Sequence, residues 1–246
     1  MAELDRAALN EFVNAEIIEF HQKRLASLQR LKLNVVLRKK NPYLFKAKNL
    51  NAASDLIAAI MSAFLSSSEE EMFGVFLEEL AIFVSEKTSA GRKSTAPGLD
   101  LEFDRDETRY LVAIKSSTNW GNSSQYARLE ENFKRAVQVQ RQSRRVAHVQ
   151  PVLGMCYGKS PAFIDTGVYW KMSGQTFWHF LSGDRTLYAD IVEPIGHQAR
   201  ERNDDFEASR CELLNVFTGE FLGRFCDQGG RIDWAKLVAF NSGNMD

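Results

Sequence analysis

The chain has 246 residues, 44% of them hydrophobic and 26% charged, with a net charge of −1. That suffices for one large globular domain, or for a core with a smaller lobe, and the near-zero balance argues against DNA binding until the charges are mapped along the chain. No apolar run approaches the roughly 18 residues of a membrane helix, and the acidic, polar N-terminus does not read as a signal peptide. Cys156, Cys211 and Cys226 are far apart and match no zinc spacing, so they are expected as small buried residues in a reducing cytoplasm. The four histidines are as scattered, which argues against a histidine-based metal site. No glycine-rich phosphate loop and no nucleophile elbow occurs.

In chain order, residues near Leu4 to Leu37 read as helical, with Leu25, Leu28 and Leu31 to Leu33 on an apolar stripe. From Gln22 through Leu50 every ionised side chain is basic, the electrostatic footprint of a phosphate-binding surface. For Lys23 to Arg30 the solvated face of an amphipathic helix is the better account of the charges. Arg38, Lys39 and Lys40 are better placed for DNA, because Asn41-Pro42 stops the helix and exposes a basic turn. Asn49 to Leu65 reads as a second helix, with Asp55 near its start and an exit at Ser66 to Ser68. A third helix, Glu70 to Ser85, is apolar almost all round and is therefore expected to be buried. Gly74 and Glu78 share its one polar sector, and Glu79 interrupts the apolar arc. A buried carboxylate requires a cation or a hydrogen-bonding partner; the plain alternative is a solvent-edge glutamate without a role.

A loop containing Gly91 and Pro97 then leads into Gly98 to Phe103, the charged turn Asp104 to Glu107, and Tyr110 to Lys115, which read as a hairpin. Side chains alternate faces along a strand. A register setting Asp100 against Ala113 places Leu99, Leu101 and Phe103 with Val112 and Ile114. It brings Asp100, Glu102 and Lys115 to the other face, and an acidic pair beside an ammonium suits a divalent metal and a phosphate oxygen. Acid-rich hairpins also occur on solvated sheet faces, so spacing alone does not decide. After Lys115 comes a dense run of small polar residues around Trp120, from Ser116 to Gln125, of the kind that carries binding groups. The next helix, from about Ser123 to Gln142, leads into a basic stretch and includes Arg128, Lys134, Arg135 and Arg141, with Arg144 and Arg145 just beyond; Glu130 and Glu131 offset them. Val149 to Tyr157 reads as a strand, Gln175 to Leu181 and Thr186 to Ile191 as short helices, and Glu207 to Phe225 as a longer one. There is no internal repeat and no low-complexity linker. The order helix, hairpin, helix, strand predicts an α/β (α+β) fold with a mixed β-sheet flanked by helices.

The hairpin resembles the metal-dependent PD-(D/E)XK nuclease motif. More narrowly, Gly98 to Phe103, and Ile114-Lys115-Ser116 leading to Asn119 through Gln125, resemble a group of type II restriction endonucleases. The similarity runs from about Asn41 to Gly243 and includes Phe177-Trp178, Ser182-Gly183-Asp184, Glu193-Pro194 and Ile232-Asp233-Trp234. The resemblance implies a restriction-endonuclease-like sheet and Mg²⁺-dependent, sequence-specific hydrolysis of double-stranded DNA. It divides the chain into a helical basic arm, 1–48, and a nuclease domain, 49–246, with a helical C-terminal part. It implies Asp100 as metal ligand, Lys115 as stabiliser of developing charge, and Gln125 as positioner of water or phosphate. Asn119, Trp120, Asn122 and Ser123 are expected at the DNA, with Asn reading base edges. One departure stands out: Ala113 occupies the position of the second strand acid and cannot bind a metal. Glu102, roughly 7 Å along the strand from Asp100, and Glu78, on the helix where the family usually places an acid, are the candidates to replace it, with Glu79 beside the latter. A homodimer is expected from the match between symmetric subunits and a palindromic site, and a cognate DNA methyltransferase is implied. Rival readings are a catalytically impaired DNA-binding protein on the same scaffold, a structure-specific repair nuclease, and a non-enzymatic interaction factor with a basic arm.

Overall fold

The computed structural model describes residues 1–142, 148–159, 162–197 and 199–244. They form, in order, α1 (Arg6–Gln29), α2 (Leu33–Lys39), α3 (Pro42–Ala47), α4 (Ala53–Ser89), β1 (Arg92–Lys93), β2 (Leu101–Arg105), β3 (Thr108–Lys115), α5 (Ser123–Gln142), β4 (His148–Met155), β5 (Ile164–Asp165), β6 (Trp170–Ser173), α6 (Gln175–Ser182), α7 (Leu187–Asp190), α8 (Val192–Gly196), α9 (Ala199–Phe225) and α10 (Trp234–Ser242). The chain divides into two compact units, residues 1–17 with 74–197, and residues 18–73 with 198–246.

The first unit holds a six-stranded mixed sheet of order β1-β2-β3-β4-β6-β5. β1, β2 and β3 are antiparallel neighbours, β3, β4 and β6 run parallel, and β5 closes the far edge antiparallel to β6. The fold is the restriction-endonuclease-like mixed α/β arrangement expected from the sequence. The amphipathic helix α5 buries Leu129, Phe133 and Ala136 against Leu99, Leu111, Ala113 and Leu153. Gly154 lets α6 lie close over the sheet, since a Cβ there would come within 2.0 Å of the Phe177 ring.

The hairpin has the expected register over five pairs, from Leu101 with Val112 to Arg105 with Thr108. Its turn is tighter than the four residues expected. Asp106 (φ 51°) and Glu107 (φ 61°) form it alone, the doubly left-handed geometry that matches strand twist, and Asp104 is ladder-paired with Arg109 instead. The ladder ends before the expected Asp100–Ala113 pair. The Asp100 amide donates to the Val112 carbonyl at 2.9 Å, while the Ile114 amide donates to the Asp100 carboxylate at 2.6 Å. That break in alternation turns Leu99 to the Leu111 and Ala113 face, opposite to the expected one.

The second unit is helical. Leu28, Leu33, Val36, Leu37 and Phe45 pack with α4 residues from Ala53 to Leu65 and with Phe206, Phe217, Phe221, Phe225 and Leu237. This is why the expected Leu4 to Leu37 helix is broken. On a straight helix Leu33 and Leu37 would lie roughly 140° and 180° from Leu28, and the interruption at Arg30 to Lys32 lets all three enter one core. Asn41 does stop α2, but its side chain then caps α3 by accepting from the Tyr43 and Leu44 amides.

Three further expectations are corrected. The two helices separated at Ser66 to Ser68 are one 37-residue helix, α4, because the Ser67 hydroxyl donates back to the Ala63 carbonyl at 3.0 Å and is satisfied inside the helix. α9 begins at Ala199 rather than Glu207, since the polar run before Phe206 shows no apolar period. Of the cysteines only Cys156 is buried, while Cys211 is exposed and Cys226 intermediate. The elements α3, α8, α10, β1, β5 and β6 were not expected from the sequence. Among the described residues no helix is long and apolar enough to cross a membrane.

Candidate active site

Three charged side chains meet at one end of the sheet. Asp100 immediately precedes β2, Lys115 ends β3, and Glu78 comes from α4. Lys115 Nζ lies 3.7 Å from Asp100 Oδ2, with both side chains partly covered. The same Oδ2 accepts the Ile114 amide, so the carboxylate takes the place of a ladder carbonyl and is held by the sheet itself. Lys115 Nζ also lies 5.6 Å from the centre of the Trp120 ring, which packs on Tyr126 at 4.7 Å. The lysine therefore sits between a carboxylate and an aromatic face.

Glu78 is half-buried, and burial raises its carboxyl above the ordinary value; the Asp100 carboxylate adds to the rise, while Lys93 and Lys115 oppose it. Beneath the cluster Cys156 is almost fully buried. Burial first, and Glu78 second, push its thiol up to about 12, so it stays protonated and is no nucleophile. It ties the site together: its Sγ–H faces the Leu77 carbonyl at 3.8 Å, its amide donates to Lys115 O at 2.9 Å, and the Trp178 indole donates to its carbonyl at 2.8 Å.

The other expected residues lie in different settings. Glu102 is buried, but its carboxylate is taken by Arg92, with Nε at 2.8 Å and Nη2 at 2.6 Å. Ala113 is fully buried in the apolar cluster with Leu99 and Phe133. Asn122 and Gln125 form a reciprocal cap at the start of α5: Asn122 Oδ1 accepts the Gln125 amide at 3.1 Å, and Gln125 Oε1 accepts the Asn122 amide at 2.9 Å. Asn119 and Ser123 are exposed, and Trp120 is intermediate. Glu79 lies 3.6 Å from Lys93. Gly74 faces the loop after β3, where a Cβ would stand 3.8 Å from that of Ser116.

In the helical unit Lys40 is committed, donating to the Ala63 carbonyl at 2.7 Å and to Ser67 Oγ at 3.0 Å. Arg38 and Lys39 are exposed and lie over the rings of Phe240 and Phe64 at 5.1 and 5.7 Å. Arg24 pairs with Glu69 and stacks 3.4 Å above the Phe206 ring. On α5, Lys134 and Arg135 pair with Glu130 and Glu131; Arg144 and Arg145 lie outside the described residues.

Asp100 and Glu78 are hard oxygen donors suited to Mg²⁺, which takes one or two carboxylates and keeps several waters. Among the described residues no group of three or more His, Cys, Asp or Glu converges on a metal position, so a metal here would rest on two carboxylates, water and the substrate phosphate. Cys156 and Lys93 entered the neighbourhood without being expected. A lone cysteine carries no spacing, and Lys93 lies on a two-residue strand too short to show alternation.

The family model of the type II restriction endonuclease EcoO109I matches residues 7–203. No curated protein matches the chain.

Proposed function

Since this chain belongs to the type II restriction endonuclease EcoO109I family, a restriction nuclease acting on DNA, we propose that it hydrolyses phosphodiester bonds of double-stranded DNA at a specific sequence with Mg²⁺ at Asp100 and Glu78. The observation that carries this reading is the 3.7 Å approach of Lys115 to Asp100 at the sheet end, with the half-buried Glu78 carboxyl beside them. When bound, Mg²⁺ supplies Lewis acidity toward the phosphate and activation of water.

The chain's own groups do the rest. Asp100, held by the Ile114 amide, and Glu78 present two carboxylates toward one volume. Lys115 donates to a non-bridging oxygen of the scissile phosphate and stabilises the charge that develops there, a contribution of about 10²- to 10³-fold where such donors have been removed. Trp120 limits where the ammonium can swing. Glu78 is the second carboxylate that would hold the metal, beside Asp100. In this reading Glu78 replaces the acid missing at Ala113, and Glu102 serves β1 through Arg92. Arg38 and Lys39, with Asn119, Trp120 and Ser123, contact DNA; Gln125 and Asn122 act first as the cap that places the loop. The protein works as a cytoplasmic homodimer on a palindromic site, beside a cognate methyltransferase.

The test is incubation of plasmid DNA with purified protein and Mg²⁺. Discrete fragments are expected, none with EDTA, and none with Asp100→Ala or Lys115→Ala while duplex binding survives. Full activity in either variant would sink the site assignment. The buried Ala113 favours one second reading, a DNA-binding protein without cleavage; it predicts sequence-specific binding with intact plasmid under every metal.

A further inference from the structure

Beside the proposed catalytic cluster, β1 carries a cation that the mechanism leaves unused. Arg92 and Lys93 are successive strand residues, so their side chains leave opposite faces. Arg92 is fastened to the buried Glu102. Lys93 is 65% exposed at its side chain and lies 3.6 Å from Glu79 of α4, the residue next to Glu78. Its backbone pairs with Leu101, one residue from Asp100, and the Ser94 amide donates to the Asp100 carbonyl at 3.1 Å. Lys93 thus stands one strand over from Asp100, on the side away from Lys115.

Neighbouring strands lie about 4.8 Å apart, and each DNA strand carries a phosphate about every 3.4 Å of helix axis. A DNA strand whose scissile phosphate rests at Asp100 and Lys115 and whose backbone crosses the sheet toward β1 would carry an adjacent phosphate to Lys93. A pair as exposed as Lys93 and Glu79 holds its partners weakly in water, so the lysine can exchange one anion for another. Resting on the nuclease reading, we infer that Lys93 binds the backbone phosphate next to the scissile one, leaving Glu79 as DNA arrives. Arg92, Glu102 and the β1–β2 ladder hold the strand that carries it, and Glu79 keeps the lysine extended toward the site when DNA is absent.

The experiment is equilibrium binding to a random-sequence duplex over a range of salt, with Ca²⁺ in place of Mg²⁺ and the duplex checked to be intact. Lys93→Gln should lower the slope of log affinity against log salt by roughly 0.9, the value of one phosphate contact, and Lys93→Arg should restore it. Glu79→Gln should bind at least as tightly as wild type, because it removes the competing anion. An unchanged slope in Lys93→Gln, or weaker binding in Glu79→Gln, overturns the assignment while the nuclease reading stands. A wild-type protein with no affinity for duplex DNA overturns both.

Discussion

At the scale of single residues the site is held under electrostatic tension. Burial, and then the Asp100 carboxylate, raise the Glu78 carboxyl. Below the unfolded carboxyl range both states are protonated and folding carries no penalty. As pH rises through the unfolded and then the raised folded value, the unfolded state ionises more readily and stability falls. Glu78→Gln removes that penalty. The variant should melt higher than wild type at pH 7 in the absence of metal and equally at pH 4, yet lose cleavage by about 10²-fold or more. Thermal melts across pH, paired with plasmid cleavage, check both halves; a variant that still loses stability toward neutral pH as wild type does would remove Glu78 from the cluster. Ala113 makes the complementary case. Its Cβ is buried with Leu99, Leu111, Leu129 and Phe133, so Ala113→Glu places a carboxylate among hydrocarbon at a cost of about 3 kcal/mol or more. The expected result is a lower melting temperature with no gain in cleavage, and increased cutting would show instead that the new carboxylate reaches the metal.

At the scale of elements, local hydrogen bonds hold the loop after Lys115 and α4 in place. The Asn122–Gln125 cap starts α5 and so determines where the loop after Lys115 ends. Asn122→Ala should cost about 1 kcal/mol, seen as a drop of about 2–4 °C in melting temperature. Its loss of cleavage should be much smaller than that of Lys115→Ala, and an equal loss would mean that Asn122 touches DNA or phosphate directly. The Ser67 back-bond that carries α4 through its serine run acts in the same way, as local chemistry that decides where an element runs.

At the scale of the whole molecule, the chain forms two compact units. The first 17 residues belong with the sheet, and residues 18–73 belong with the C-terminal helices. The basic segment is therefore part of a core. Deleting residues 1–48 removes Leu28, Leu33, Val36, Leu37 and Phe45 from the helical cluster. At about 1.5–3 kcal/mol for each buried side chain, the loss matches the whole stability of a typical domain, about 5–15 kcal/mol. The truncated protein should lack a cooperative transition in that unit, followed by circular dichroism during heating. A truncation that melts like wild type and only binds DNA more weakly would restore the picture of a detachable arm.

The sequence by itself determined the hairpin, its register from Leu101 to Arg105, the amphipathic α5 and the mixed-sheet class, because period-two and period-3.6 patterns record which face each residue buries. It also singled out Asp100, Glu102 and Lys115 as candidates by their alternation along the hairpin, while the preference for Glu78 came from the family resemblance. Only the tertiary structure showed that the Glu102 carboxylate is paired. Its partner Arg92 reaches it from a two-residue strand without a pattern of its own. The same holds for Ala113 and Lys40. Whether an alanine faces a metal or a core, and whether a lysine faces solvent or the Ala63 carbonyl, depends on which distant segments fold against it, and linear spacing does not encode that.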